Sequence, residues 1–209
     1  MLKFPIHEHF LMLIKEELLY QYGAVIQNFQ KQEYIFREGD LPRNYYQIVG
    51  GRVKLSHTNE EGKEFIQTIL TDGQSVCELL LFIDYNYPIS SVALANSTIL
   101  KLSKLNFEKL LHEHPEISRD INVFFAGRLY QKLIMLQNNA SLNPEIRLKG
   151  VMSYYKSFNH SDKKYSFEIP FTRQELAAFT GLRVETVIRA VKKMELQKVV
   201  KIENRKIYY

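Results

Sequence analysis

Phe171-TRQELAAFTGLRVETVIRAVKKM-Glu195 has the spacing of two helices joined by a tight glycine turn, the second presenting an arginine and two lysines on one face. Thr172 and Glu175 form a Thr-x-x-Glu capping box, in which the hydroxyl and the carboxylate each accept an otherwise unpaired backbone N–H at a helix start. A first short helix is therefore predicted from Arg173. It turns Leu176, Ala177 and Thr180 inward and stops at Gly181, which takes the positive φ that the turn demands. A second helix follows over about 184–194. At about 100° per residue, Val187, Ala190, Val191 and Met194 share its packed side, while Glu185, Ile188, Arg189, Lys192 and Lys193 share the outward one. A charged helix face alone is usually just solvated. The capping box, the small Ala177, Gly181 and inward Val187 at their mutual spacing define instead a helix-turn-helix, whose second helix enters the major groove of double-stranded DNA.

Charge supports that reading independently. Residues 144–209 hold 14 Lys+Arg against 7 Asp+Glu, whereas residues 1–143 hold 14 against 16, so the net +5 of the chain conceals a basic end and a slightly acidic remainder. A basic end suits the phosphate backbone, whose released counterions supply most non-specific affinity. Beyond the second helix, the runs Val199-VKI-Ile202 and Lys206-IYY-Tyr209 flank Glu203-Asn204-Arg205 and predict a hairpin, the wing of a winged helix. Its Lys201, Arg205 and Lys206 are expected near phosphates and not base edges. The candidate DNA contacts are thus Thr172, Arg173, Arg183, Glu185, Thr186, Ile188, Arg189, Lys192, Lys193 and Arg205.

Upstream, the period is that of strands. Tyr45-YQIV-Val49, Arg52-VKLS-Ser56, Lys63-EFIQTI-Leu70 and Ile89-SSVALANSTILKL-Leu102 are rich in β-branched and aromatic residues, separated by turn chemistry at Glu38-Gly39-Asp40, Gly50-Gly51, Glu60-Glu61-Gly62 and Asp72-Gly73. Short strands at this spacing predict a sandwich or roll able to enclose a small ligand. Asn106 reads as the N-cap of a short helix stopped at Pro115, and a long helix follows to about Asn138. Along it Ile117, Ile121, Phe125, Leu129, Leu133 and Leu136 recur every three or four residues, and Phe124, Ile134 and Met135 widen the stripe. So broad a stripe has two possible partners, the chain's own roll or a second copy of the helix, and the second copy is the natural one for about six turns. Asn138-NASLNP-Pro144 is polar, proline-ended and hinge-like.

Composition narrows the function classes. A chain of 209 residues with 45% hydrophobic content fills one good core and a smaller second one. No apolar run reaches the roughly 18–20 residues of a membrane span. The mixed segment from Phe4 to Tyr22, with His7, Glu8, His9, Lys15, Glu16 and Glu17, is no secretory signal, and the expected compartment is the cytoplasm. The single Cys77 forms no internal disulfide and no cysteine cluster; it reads either as a small buried hydrophobe or as an oxidation sensor or haem ligand, with no basic neighbour in sequence to lower its pKa. His112 and His114 flank Glu113 without a third or fourth metal ligand. A cupin-like enzyme would need clustered histidines on facing strands, and the roll offers only His57. No Ser-His-Asp set, phosphate loop or paired-acid motif appears, so no catalytic residue, metal site or cofactor is assigned.

Roll, long helix, hinge and winged helix, in that order, resemble the Crp/Fnr family of bacterial transcription factors across almost the whole chain. The matching pieces are Ile35-FREGD-Asp40, Ile48-VGGRVKL-Leu55, Asp72-Gly73, Glu78 with Phe82, and above all Ile169-PFTRQELAAFTGLRVETVIRAVKKM-Glu195. The resemblance implies an α+β chain: an N-terminal double-stranded β-roll, cupin-like, over residues 1–115; a dimerisation helix and hinge over 116–143; and a C-terminal winged helix-turn-helix over 144–209. It implies a homodimer on palindromic DNA, acting through RNA polymerase if it activates. Glu185 and Arg189 look like the family pair that reads one C·G base pair, glutamate accepting from cytosine N4 and arginine donating to guanine O6 and N7. Val184 and Ile188 depart from the base-reading residues of the cyclic-AMP receptor and Fnr branches, so the half-site shares only the central G·C step with either; Ile188 either meets a thymine methyl or is neutral. The effector pocket falls on Cys77, Glu78, Leu79, Leu80, Pro88, Ile89 and Ser90. There Glu78, the ribose ligand, is kept, but Cys77 and Leu80 stand for two glycines and Pro88-Ile89 for the phosphate-binding Arg-Ser pair. The implied effector is therefore not cyclic AMP, and a ligand-independent regulator is the alternative.

Overall fold

The computed structural model describes residues 14–83, 85–157 and 163–209. The first residues of the amphipathic segment expected from Phe4, with His7, Glu8 and His9, lie outside them. Two compact units divide at Ala126 and Gly127.

In the first unit, a short helix α1 (Glu16–Gln21) leads into strands β1 (Val25–Phe29), β2 (Tyr34–Phe36), β3 (Asn44–Gly50), β4 (Arg52–Thr58), β5 (Glu64–Thr71), β6 (Ser90–Ala93) and β7 (Ser97–Ser103). They form two antiparallel sheets, in the orders β1-β7-β3 and β2-β6-β4-β5. Side-chain alternation assigns each strand two faces. Tyr46 and Ile48 of β3 point into the space between the sheets with Phe36, Val53, Leu55, Leu70, Ala93 and Ile99. Tyr45, from the same strand, points the other way, stacking on Phe107 at 4.6 Å between centroids in a second core layer with Leu100 and Leu102. The turn after β3 needs its glycine for space: a Cβ on Gly51, at φ 123, would stand 2.2 Å from the Ser97 hydroxyl. A 3-10 helix over Glu78–Phe82 follows β5.

The run predicted from Ile89 to Leu102 is two strands, because the chain leaves the second sheet after Ala93 and joins the first at Ser97. The short helix α2 (Lys104–Glu113) is capped by Ser103, whose hydroxyl accepts from the Asn106 N–H, and not by Asn106 itself. Two cap-competent residues three apart look alike in sequence.

Helix α3 (Pro115–Asn139) spans the division between the units, which falls within it and not at either end. The physical reason is its first three turns. Ile121 and Phe124 are buried in the roll's second core layer with Phe107 and Leu110, and Ile117 and Phe125 pack partly against it. Ile121 is thus part of the chain's own core, a correction to the dimerisation stripe. Phe125 also meets Phe82 edge to face at 5.8 Å.

The second unit carries α4 (Pro144–Lys156), β8 (Glu168–Ile169), α5 (Arg173–Thr180), α6 (Val184–Leu196), β9 (Lys201–Glu203) and β10 (Lys206–Tyr208). Asn143 caps α4, accepting from the Glu145 N–H at 2.9 Å, with Pro144 at the first helical position. The three helices pack on one another and enclose Leu148, Val151, Met152, Leu176, Phe179, Val187, Val191 and Met194. The wing is a three-stranded antiparallel sheet, β8-β10-β9. Val199 and Val200 do not belong to it, contrary to the predicted run: their N–H groups turn back to the Met194 carbonyl, and Val200 is buried.

Candidate nucleic-acid interface

The reading head is built from α5 and α6. Both arms of the capping box are present: Glu175 N–H to the Thr172 hydroxyl at 3.1 Å and Thr172 N–H to the Glu175 carboxylate at 2.7 Å. Gly181, at φ 68, closes α5 in the left-handed region. On α6, Val187, Ala190, Val191 and Met194 are buried; Glu185, Ile188, Arg189, Lys192 and Lys193 are exposed, and Thr186 is half-buried. The helix therefore presents the face its sequence predicted.

Its charges differ in how far the chain itself has satisfied them. Lys193 pairs with Glu145 at 2.5 Å, tying α6 to the first turn of α4. Lys201 pairs with Glu203 at 2.5 Å and Lys206 with Glu168 at 2.7 Å. Hydrogen bonds to these carboxylates hold both wing lysines above their ordinary pKa, and the bond from Lys206 holds Glu168 below its own. Arg183, Glu185, Arg189, Lys192 and Arg205 make no ion pair among the described residues. Glu185 and Arg189 stand one turn apart on the exposed face, the spacing at which two side chains address neighbouring base edges.

Two arginines act on the backbone. Arg147 donates from Nε to the Ser141 carbonyl at 2.6 Å and from Nη1 to the Thr180 carbonyl at 3.2 Å, linking the segment before α4 to the end of α5. Arg173 donates to the Arg205 carbonyl at 2.8 Å, and partial burial holds its pKa below the ordinary value. None of these three bonds has a signature in the sequence. The cluster of Tyr155, Phe171 and Phe179 under α5, with Tyr155 and Phe171 at 4.4 Å, was also missed, although three aromatics flanking a capping box could have signalled it.

In the roll, the residues expected to line an effector pocket divide. Cys77, Leu80 and Ile89 join the core between the sheets, where Phe36 and Tyr87 stack at 3.6 Å. Glu78 is buried, and burial, with Tyr46, Cys77, Asp40 and Glu78 nearby, drives the Tyr87 hydroxyl well above its ordinary pKa. Leu79 and Pro88 are exposed, and Ser90 lines a different space, a groove of about 540 Å³ with Arg37, Lys54, Ser56 and Glu64. That groove is polar and internally paired, Lys54 with Glu64 at 2.5 Å. Along α3, Leu129, Leu133 and Leu136 are 61%, 51% and 67% exposed. No helix among the described residues is long and apolar enough to cross a membrane.

A double-sheeted roll followed by a winged helix-turn-helix defines a class of DNA-binding regulator. The family model of the cyclic nucleotide-binding domain matches residues 26–114, and that of the Crp-like helix-turn-helix domain matches residues 127–208. The chain is 26% identical over 184 residues to the cAMP-activated global transcriptional regulator CRP of Escherichia coli, covering 87% of this chain and 88% of the relative. The protein of the same name from Haemophilus influenzae is 28% identical over 179 residues, 83% of this chain and 78% of the relative. A solved CooA mutant from Carboxydothermus hydrogenoformans shares the fold with a TM-score of 0.76 at 18% identity, over 92% of this chain and 85% of that one. The chain belongs to the Crp/Fnr family and is a transcription regulator of that type. These likenesses point to a DNA-binding regulator and not to an enzyme.

Proposed function

We propose that the protein works in the cytoplasm as a homodimer that reads a palindromic duplex through α6, under the control of an effector other than cyclic AMP. The observation that carries the reading is the exposed Glu185 and Arg189 pair on a helix whose opposite face is fully packed. Exposed Leu129, Leu133 and Leu136 on α3 supply an apolar face for a second copy. Two-fold symmetry then sets half-site centres about one helical turn, ~34 Å, apart, with steep salt dependence. An activating dimer would work through RNA polymerase.

The two CRP proteins named above are cAMP-activated, but the residues that would hold a cyclic phosphate are changed here. Cys77 adopts the left-handed φ of 56° natural to a glycine while burying a side chain, and Ile89 is buried where the resemblance places a cation or its neighbour. An uncompensated phosphate in such surroundings costs several kcal/mol, of the order of the penalty for any unpaired buried charge. The Phe36–Tyr87 stack, which fills space between the sheets, favours as second reading a regulator that binds DNA without any ligand.

Selection from random duplex DNA by the ligand-free protein tests both readings. An enriched palindrome with one invariant G·C pair per half establishes ligand-free reading. Enrichment that appears only with cyclic AMP, accompanied by micromolar heat of binding, overturns the exclusion of that effector.

A further inference from the structure

We propose that Arg173 is a positioning residue for the wing, holding Arg205 in place to meet the DNA backbone, and is not itself the DNA contact its sequence position suggests. The inference rests on the reading of α5 and α6 as the DNA-binding element. The bond between Arg173 Nη1 and the Arg205 carbonyl, at 2.8 Å, joins the first residue of α5 to the wing turn 32 residues later.

That turn needs a clasp. Glu203 and Lys206 face each other in the ladder, so Asn204 and Arg205 alone make the connection, and both lie in the left-handed region, at φ 49 and 66. A two-residue hairpin of this kind favours Asn at its first position and Gly at its second. Arginine at the second pays a steric cost from its Cβ, and a charge-assisted hydrogen bond onto its own carbonyl offsets that cost while fixing the peptide plane.

The choice of Arg205 follows from its neighbours. Lys201 is engaged by Glu203 and Lys206 by Glu168, each through a short ion pair on the chain itself. Arg205 is exposed at the tip and has no ion-pair partner among the described residues. It is therefore the wing cation left open to a phosphate. Arg173, half-buried with one donor committed to a carbonyl, is the group that aims it.

The test is a salt series of duplex binding by anisotropy, using the palindrome recovered by selection with the parent chain, or a random duplex of about 40 base pairs if none is enriched. The proteins are the parent, Arg205→Ala, Arg173→Gln and the double variant. Each single change is expected to weaken binding about fivefold and to lower the salt slope by about 1, and the double variant to bind no worse than the weaker single. Losses that multiply, with a slope reduced by about 2, would show Arg173 to be a phosphate contact in its own right and sink the proposal. Unchanged binding by Arg173→Gln sinks it too.

Hydrogen exchange in the free protein gives a readout independent of DNA. Arg173→Gln should speed exchange in the wing over 201–208 while α6 stays protected, and unaltered wing exchange overturns the clasp even if no duplex binds. Should Arg173→Gln fail to fold, Arg173→Lys keeps the charge without the rigid fork and should still loosen the wing and lower the salt slope by about 1; a wing as protected as the parent's, or a salt slope equal to the parent's, in that variant counts against the clasp.

Discussion

The two halves of α3 carry one apolar repeat into opposite situations. Ile121 and Phe124 in the first half are buried in the chain's own core; Leu129, Leu133 and Leu136 in the second lie exposed. Spacing determines which residues share a helix face but not what that face meets, because a roll and a second helix both accept an i, i+3, i+4 stripe. Covered faces contribute to folding. Open ones are available for partners, and the distinction extends to the charges of α6 and the wing.

The sharpest break between the halves should come from truncation. Phe124→Ala removes a fully buried ring and is expected to cost about 3–5 kcal/mol, whereas Leu133→Ala should change the stability of an isolated chain by less than about 0.5 kcal/mol. Chemical denaturation under dilute conditions checks both. Equal costs would mean that Leu133 is already covered within the chain.

Leu133→Asp examines the open half directly. Placing a carboxylate on an apolar contact forfeits roughly 1.5–3 kcal/mol per buried leucine, so sedimentation should show the two-chain species giving way to single chains with the melting temperature of the roll retained. A parent protein that sediments as one chain at every concentration removes the second copy from the argument.

How much of this was legible in sequence follows the range of each interaction. The capping box, Gly181 and the two faces of α6 depend on neighbours within one or two turns, and each stands where the residues place it. The winged sheet was only partly readable: β8 is just Glu168 and Ile169, too short to carry a period, and it exists because Ile207 pairs with Ile169. The first wing strand starts at Lys201 and not at Val199, because the β-branched Val199 and Val200 suit a strand but both turn back to the Met194 carbonyl and Val200 is buried. The division of α3 needed the position of Phe107 and Leu110, which no local pattern contains. Likewise the effector residues belong to two stretches of family resemblance, 76–82 and 87–94, and the alternation of side chains about β6 sends Ile89 into the core and Ser90 to the outer groove.

Arg189 is the open charge with the largest expected consequence. Arg189→Ala should cost about 1–3 kcal/mol of specific binding and relax preference at one base pair per half-site, while Lys192→Ala should weaken all sequences alike and lower the salt slope by about 1. Competition between the selected site and its single-base variants separates the two, and a binding profile unaltered in Arg189→Ala removes the base-reading assignment.

The smallest effect belongs to a charge the chain has already satisfied. Glu168 is held below its ordinary pKa by the hydrogen bond from Lys206, so its stabilising contribution is present above the unfolded carboxylate value, near pH 4.3. It fades as pH falls through the lower folded value. Glu168→Gln should therefore melt slightly below the parent at neutral pH, and the gap should close in acid, once Glu168 is protonated in both states of the parent. Because both partners are solvent-exposed, the gap at neutral pH is small and shrinks further with salt. A gap that persisted unchanged into acid would mean that the glutamate acts through packing or the Tyr208 hydroxyl, which also reaches its carboxylate at 3.2 Å, and that Lys206 belongs with Arg205 among the open charges.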